Sequence, residues 1–207
     1  MQSRRFIALA ALCAGLALAG CGKAPRVKAG PVASAEDMSL GDPKAPIQVI
    51  EFASASCSHC AAFNNTVFPA FKAKYIDTGR VHYTLKEFLT PPNEVSAAGF
   101  LLARCAGKDR YFPTLDAVFK AQDAMFQSGD FHGGLLGIAK AQGLTEAQFT
   151  ACLSDKAAAQ ALNARVQKAV SQDKIDSTPT FIVNGVNIGS GEVTLPDLDA
   201  AIAKAAK

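Results

Sequence analysis

The sequence predicts an α/β fold in which a block of helices is inserted between two groups of strands. β-prone runs fall at residues 47–52, 81–85 and 180–188, whereas residues 93–174 are rich in alanine and contain no such run. A helical pattern joins the first two β-prone runs. With 207 residues, of which 49% are hydrophobic, the chain is large enough for one domain with its own core.

The first group of elements is a β-α-β unit. A strand at residues 47–52 follows two prolines, and residues 60–77 carry apolar side chains at helical spacing. These side chains are Phe63, Val67, Phe71 and Tyr75, and Pro69 is expected to kink the helix. A second strand follows Gly79, at residues 81–85. Because a β-α-β crossover places its strands side by side in one direction, we expect these two to be parallel.

The rest of the chain predicts the helical block, a hairpin and a last helix. Breaks within residues 93–174 divide the block into three to five helices. An Asn-Gly pair at residues 184–185 lies between β-prone runs, and this pair is the strongest short signal for a two-residue hairpin turn. A final helix is expected at residues 195–205, with Thr194 as its N-cap and Pro196 in its first turn.

The N-terminus has the features of an export signal. Arg4 and Arg5 precede an apolar stretch at residues 6–19, which is too short to cross a membrane comfortably. Leu-Ala-Gly then precedes Cys21, and this ending resembles the lipobox of bacterial lipoproteins. The resemblance implies a signal peptide at residues 1–20, cleavage before Cys21, and acylation of its thiol and its new amine. An ordinary signal peptide with a chance cysteine is the alternative.

The chain after the signal divides into a tether and a domain. Residues 21–38 contain lysine, proline, glycine and serine without a periodic apolar pattern, so we expect a flexible, lipidated tether. Residues 39–207 then form the folded domain. The formal net charge is +3, and two positive charges lie in the predicted signal peptide. Because no later basic run follows that would track a phosphate backbone, we expect no nucleic acid partner.

Six cysteines are present, and they fall into two groups. Cys13 lies in the predicted signal peptide, and Cys21 would carry lipid. The remaining four are Cys57, Cys60, Cys105 and Cys152. An even number of cysteines in an exported protein fits an oxidising compartment and disulfide pairing.

The motif that carries chemistry is Cys57-Ser58-His59-Cys60. It lies between the first strand and the first helix, so Cys57 is expected at the exposed helix N-terminus, where unpaired N–H groups favour its thiolate. Cys60, one turn inside, is expected to be buried and to resolve mixed disulfides. His59 would add a donor or a positive charge beside the thiolate, and a stabilised thiolate makes the disulfide form a stronger oxidant. A zinc site and a structural disulfide staple are the alternatives.

Residues 50–60 resemble the active-site region of DsbA-like proteins, a family with the thioredoxin fold. The C-x-H-C motif, a Thr-Pro before a later strand and the order of elements agree, from about Leu40 to the C-terminus. The resemblance implies a thioredoxin-like fold with an inserted α-helical domain. It also implies a redox-active Cys57–Cys60 disulfide that needs no metal and no organic cofactor. Ser58, which stands where the best-known members have proline, would contact substrate.

The resemblance implies roles for residues outside the motif as well. Thr178-Pro179 looks like the family's cis-proline loop, which faces the active cysteines and binds the substrate backbone. Glu51 takes the place of a buried acid that exchanges protons with Cys60. The alternation of side chains along its strand permits burial, and a solvated edge glutamate is the alternative.

Two further pairs are assigned structural roles. Cys105 and Cys152 resemble a second, non-catalytic disulfide found in part of the family, which would close a loop of about 48 residues. Two separate buried thiols are the alternative. Lys86 and Glu87 follow the second strand and are expected to form a solvated strand end.

The function that these observations favour is thiol–disulfide exchange with proteins. Cys57 would form a mixed disulfide with reduced or misoxidised exported proteins, and Cys60 would resolve it. A membrane or soluble redox partner would recycle the protein on the periplasmic side of a bacterial membrane, where acylated Cys21 would anchor it to the lipid bilayer. Because His59 should favour the thiolate, we expect an oxidase.

Two alternatives to an oxidase remain. An isomerase or reductase is the first; the family's isomerases usually carry a dimerisation domain, whereas only a tether precedes Leu40, so a monomeric oxidase is expected. A metal-carrying lipoprotein that uses Cys57, His59 and Cys60 as ligands is the second.

Overall fold

The structure is a computed structural model that describes residues 30–207 of the chain. The predicted signal peptide at residues 1–20 and the predicted lipidation site Cys21 lie outside the described residues. Among the helices that are described, none is long and apolar enough to cross a membrane.

A five-stranded sheet forms the centre of the described fold. Its strands are β1 (Met38–Leu40), β2 (Ile47–Ala53), β3 (Val81–Glu87), β4 (Thr180–Val183) and β5 (Val186–Ser190). They lie in the order β1-β3-β2-β4-β5. β2 and β3 are parallel, as the β-α-β unit predicts, whereas β4 is antiparallel to both β2 and β5. The predicted α/β class is confirmed, and β2 is the middle strand.

Helices make up the other regular structure. The unit between β2 and β3 consists of α1 (Ser58–Thr66), α2 (Phe68–Phe71) and a π-helical turn (Lys72–Ile76). The insertion consists of α3 (Asn93–Cys105), a 3₁₀ turn (Lys108–Arg110), α4 (Tyr111–Ser128), α5 (Phe131–Ala141), α6 (Glu146–Leu153) and α7 (Lys156–Ser171), and α8 (Leu195–Ala205) follows the last strand. The five α-helices of the insertion are at the upper end of the predicted three to five.

The helix predicted at residues 60–77 is divided into segments rather than kinked. α1 is capped at Val67, and α2 begins at Phe68 with Pro69 in its first turn. A proline in a first turn costs no hydrogen bond, because the N–H groups there have no partner within the helix. The chain therefore starts a new helix at this point instead of bending the old one.

The predicted hairpin and last helix are found at the predicted residues. Val183 pairs with Val186 across residues 184–185, whose φ angles are 45° and 80°. Positive φ at both positions is what a tight turn between two twisted strands requires. Thr194 caps α8, because its side chain accepts a hydrogen bond from the backbone N–H of Asp197.

Lys86 and Glu87 are buried, so the prediction of a solvated strand end is wrong. They are 7% and 2% exposed, respectively. Glu87 accepts hydrogen bonds from Arg104 of α3 and Arg165 of α7, each with a shortest N–O distance of 2.6 Å. The insertion supplies these cations, and the sequence of β3 alone does not reveal them.

The folded domain begins slightly before residue 39. Asp37 forms a buried ion pair with Lys86 over 3.2 Å, and β1 adds an antiparallel strand to the edge of β3. The end of the predicted tether at residues 21–38 is therefore part of the domain. The buried ammonium group of Lys86 needs a carboxylate partner, and Asp37 supplies it.

The hydrophobic core surrounds β2, the strand that leads into the cysteine motif. Val49, Phe52 and Ala53 of this strand are fully buried. Since β2 has a hydrogen-bonded neighbour on each side, the backbone that enters the motif is held from both edges.

Candidate active site

Cys57 and Cys60 lie at the junction between β2 and α1. β2 ends at Ala53, and Cys57 is the N-cap of α1. The backbone N–H of Cys60 donates a hydrogen bond of 3.4 Å to Sγ of Cys57. Cys57 is half-buried and Cys60 is fully buried, so an approaching molecule meets the Cys57 sulfur first.

The two cysteines have opposite electrostatic environments. Hydrogen bonding to the thiol of Cys60 has the largest effect on Cys57 and, with the backbone N–H groups of Cys60 and His59, lowers the pKa of Cys57 from 9.0 to about 5, although burial opposes this. Burial raises the pKa of Cys60 well above 9.0, and the charges of Cys57 and Glu51 raise it further. A thiolate at Cys57 and a protonated thiol at Cys60 are therefore the stable combination near neutral pH.

The backbone N–H and the imidazole ring of His59 have different surroundings. The backbone N–H favours the Cys57 thiolate, whereas the ring is more than half exposed and places Nε2 3.9 Å from a carboxylate oxygen of Glu192. Ser58 is exposed at the same helix start. The backbone amide of His59 therefore lies on the Cys57 side, and the ring is exposed with Ser58, so the role predicted for His59 as a donor or a positive charge beside the thiolate stays a prediction.

Thr178 and Pro179 come to the same place from the other end of the chain. The Thr178–Pro179 bond is cis, and Sγ of Cys57 lies 3.3 Å from the backbone carbonyl oxygen of Thr178, 121 residues away in sequence. The hydroxyl of Thr178 is buried and has no hydrogen-bond partner among the described residues. The cysteine motif and the Thr-Pro pair therefore form one site.

Glu51 is buried beneath this site. It is 3% exposed, and the hydroxyl of Tyr83 on β3 donates a hydrogen bond of 2.5 Å to its carboxylate. Burial raises the pKa of Glu51 from 4.5 to about 8, the hydrogen bond from Tyr83 lowers it, and the Cys57 charge raises it. At neutral pH Glu51 is mostly protonated, so it has a proton to give.

Three groups beside the cysteines were not predicted from the sequence. Tyr83 is one, and Gln122 of α4 is another, because its side-chain amide donates to the carbonyl oxygens of Ala55 and Cys57. The third is Ser54, whose backbone N–H donates a 3.5 Å hydrogen bond to Sγ of Cys60. Only Tyr83 left a signal, as a large side chain between Val81 and Leu85 at the alternate positions of a β-prone run.

Hydroxyl groups hold the segment before Cys57 from a second side. Oγ of Ser54 lies 2.7 Å from Oγ of Ser96 on α3 and 2.8 Å from Oγ1 of Thr90. Ser56 donates a 2.8 Å hydrogen bond to the carbonyl oxygen of Thr90. Side chains of the insertion and of the loop before it therefore fix the backbone that carries Cys57.

The other two cysteines of the described chain are bonded to each other. Cys105 at the end of α3 and Cys152 in α6 form a disulfide with a Cα–Cα distance of 6.0 Å. Within residues 30–207, no group of three or more His, Cys, Asp or Glu side chains is arranged to hold a metal ion. The described chain thus offers Cys57 and Cys60 no third ligand of these types.

The sequence of this chain is similar to a family model and to known proteins. A family model for thioredoxin matches residues 33–204. A Rickettsia bellii protein, named as a candidate protein-disulfide oxidoreductase, is 35% identical over 170 residues, which is 82% of this chain and 64% of the relative. This chain therefore spans less than two thirds of that relative's length.

Solved structures agree with the architecture. The crystal structure of α-DsbA1 from Wolbachia pipientis is 31% identical, with a TM-score of 0.75 that covers 84% of this chain and 92% of that one. BdbD from Bacillus subtilis is 22% identical, with a TM-score of 0.68 over 82% of this chain and 92% of that one, and shows the likeness of fold alone.

Proposed function

This chain belongs to the thioredoxin family, in its DsbA-like branch of protein-disulfide oxidoreductases, and from that premise we propose that it introduces disulfides into exported proteins through Cys57 and Cys60. The observation that carries the proposal is the position of the Cys57 sulfur at the N-terminus of α1, where it accepts a hydrogen bond from the backbone N–H of Cys60 and where the pKa of its thiol falls to about 5. Glu51, Thr178 and Pro179 complete the site.

The reaction begins with the Cys57–Cys60 disulfide. A substrate thiolate attacks Sγ of Cys57, the disulfide breaks, and Cys60 leaves with the electron pair. Because burial raises the pKa of Cys60, it takes up a proton, for which the buried carboxyl of Glu51 is the donor. A second substrate thiolate attacks the substrate sulfur of the mixed disulfide, and Cys57 leaves as a thiolate. The substrate loses two electrons, and the protein gains them.

The environment of Cys57 supports the oxidase direction. Interactions with the thiolate are made only in the reduced protein, so they lower the free energy of that form. The disulfide form is then easily reduced, which means that it is a strong oxidant of other thiols. A reductase needs the opposite, a disulfide form that is favoured over the dithiol.

Substrate would bind along the surface that Cys57 shares with the cis-proline loop. Ser58 and the His59 ring are exposed on one side of Cys57, and the Thr178 backbone lies on the other. A polypeptide that crosses this surface brings its sulfur to Cys57 while its backbone passes Thr178 and Pro179.

The cell envelope is the proposed place of action. The lipobox-like ending before Cys21 supports an anchor on the periplasmic side of a bacterial membrane, although this segment lies outside the described residues. The disulfide between Cys105 and Cys152 fits an oxidising compartment. A membrane or soluble redox partner must reoxidise the Cys57/Cys60 pair after each substrate.

Redox titration of the Cys57/Cys60 pair against glutathione tests the proposal. We expect a reduction potential well above about −270 mV, the value typical of thioredoxin. A potential near that value would contradict the oxidase direction and favour a reductase or isomerase. Cys57→Ala should abolish oxidation of a reduced protein substrate. Replacement of Cys105 and Cys152 together by alanine should leave this oxidation activity unchanged.

A further inference from the structure

We propose that Gln122, on α4 of the helical insertion, is a positioning residue that holds the Cys57 N-cap in the geometry required by its thiolate. Nothing in the C-x-x-C motif or in the cis-proline loop accounts for a buried amide at this position. The proposal deepens the proposed function, and it rests on that function only for its redox readout.

The contacts of Gln122 are made by one nitrogen. Nε2 donates hydrogen bonds of 2.9 Å to the carbonyl oxygen of Ala55 and 3.2 Å to that of Cys57. Gln122 is 2% exposed, so these bonds do not compete with bulk solvent. A single side chain from the insertion thus bridges both ends of the three-residue segment that leads into α1.

The carbonyl of Cys57 connects Gln122 to the chemistry. This oxygen also accepts the first hydrogen bond of α1, from the backbone N–H of Ala61 over 3.1 Å. Cys57 has extended backbone angles, with φ at −83° and ψ at 121°, and these turn its sulfur toward the N–H groups at the helix start. By fixing the carbonyl, Gln122 fixes these angles, and therefore the alignment of the sulfur with the N–H of Cys60.

A second attachment lets the segment remain folded without Gln122. Ser54 and Ser56 bind Ser96 and Thr90 on the other side of the segment. Loss of the amide should therefore loosen the Cys57 end and leave the Ser54 end in place. This predicts a selective effect on Cys57 rather than collapse of the site.

The test replaces Gln122 by methionine, which has a similar length and no polar head. We expect the pKa of Cys57, measured from the ultraviolet absorbance of the thiolate, to rise. We expect the equilibrium constant with glutathione to shift about tenfold toward the protein disulfide, which is about 30 mV for a two-electron couple. An unchanged pKa and an unchanged potential in the folded variant would overturn the proposal.

Thr114→Val is the matched control. Thr114 is also fully buried on α4, and its hydroxyl donates to the carbonyl oxygen of Arg110, the N-cap residue of that helix. This variant should lose stability without any change at Cys57. If Thr114→Val moved the potential as far as Gln122→Met, the effect would be general loosening of α4, and the proposal would be wrong.

The unaltered protein provides a measurement that does not depend on folding of a variant. The side-chain amide resonances of Gln122 should shift with the ionisation of Cys57 in the reduced protein and should lose this titration in the oxidised protein. Amide resonances that do not respond to Cys57 would overturn the proposal. Because neither the absorbance nor the resonances require a protein substrate, failure of the proposed oxidase function would be recognised separately.

Discussion

The hydroxyl of Tyr83 donates a hydrogen bond of 2.5 Å to Oε2 of Glu51, and both side chains are buried. Burial raises the pKa of Glu51, whereas the bond from Tyr83 stabilises the carboxylate and lowers it. The balance gives Glu51 a pKa of about 8. Glu51 and Tyr83 also line a cavity of about 670 Å³, which has Lys72 and Asp116 among its other lining residues.

Replacing Tyr83 by phenylalanine should raise the pKa of Glu51 above its value in the unaltered protein, because the stabilising donor is lost while burial remains. The titration of the Glu51 carboxyl carbon, followed by NMR in the oxidised protein, measures this. Tyr111→Phe is the matched control, since Tyr111 is equally buried but donates its hydrogen bond to Glu87. A fall in the Glu51 pKa in Tyr83→Phe would contradict the assignment.

Glu51→Gln should make the oxidised protein more stable at neutral and alkaline pH. Burial, the largest cause of the raised pKa of Glu51, is present in the oxidised protein as well, although the Cys57 charge is not, so the folded state binds one more proton than the unfolded state in a pH window that begins at about 4.5. Stability therefore falls as pH rises through this window, by about 1.4 kcal/mol for each unit by which the folded pKa exceeds the unfolded one. Glutamine keeps an acceptor for Tyr83 and does not ionise.

Urea unfolding of the oxidised protein from pH 4 to pH 9 checks this prediction. The difference between Glu51→Gln and the unaltered chain should be small at about pH 4 and should grow as pH rises above the unfolded pKa of 4.5. A constant difference across this range would show that Glu51 does not titrate as its burial implies.

The sequence was informative where a local pattern determines structure. The Asn-Gly pair, the cap at Thr194 and the β-α-β order each depend on a few neighbouring residues, and each prediction matches the structure. The start of α1 at the cysteine motif is of the same kind. Local rules of turn and cap geometry are strong enough to be read from one chain.

The sequence was silent where distant segments meet. Lys86 and Glu87 look like a solvated strand end because their partners lie on α3, α7 and the segment before β1. Gln122 is 65 residues from Cys57. The sequence around a polar residue in a helix does not indicate whether its side chain makes a buried contact. Such contacts follow from how the insertion packs on the sheet, which single-sequence periodicity does not specify.

Glu87→Gln should cost about 3 kcal/mol of unfolding free energy, because it leaves the guanidinium groups of Arg104 and Arg165 without their shared carboxylate. Lys120→Gln removes the exposed ion pair with Asp116 on α4 and should cost less than about 1 kcal/mol. Urea unfolding at neutral pH measures both. If both variants lost the same unfolding free energy, the ion pairs of Glu87 with Arg104 and Arg165 would not be holding the insertion to β3.

Removal of the Cys105–Cys152 disulfide should lower stability without altering the redox pair. The bond joins residues 47 positions apart, and in the chain-entropy model opening such a loop costs about 4 kcal/mol. The double alanine variant should therefore unfold at lower urea concentration, yet keep the glutathione equilibrium of Cys57 and Cys60. A shifted equilibrium would mean that the second disulfide also shapes the active site.

The reduced protein should gain stability over the oxidised protein as pH rises from about 5 to about 9. Folding lowers the pKa of Cys57 from 9.0 to about 5, so in this window the unfolded reduced chain binds a proton that the folded chain has released. Stability from this source is complete above the unfolded value and is lost as pH falls through about 5. In the disulfide form Cys57 does not titrate, so this gain is absent.

Paired urea unfolding of the two redox forms across this range measures the gain. Glu51→Gln is the suitable background, because the Cys57 charge also raises the pKa of Glu51 and would otherwise add a second titration to the reduced form. Measurements should stop near pH 9, since Cys60 has a raised pKa and begins to oppose the trend above it. If the difference in unfolding free energy between the two forms stayed constant from pH 5 to pH 9, the Cys57 thiolate would not be stabilised by folding. The physical basis for an oxidase would then be absent.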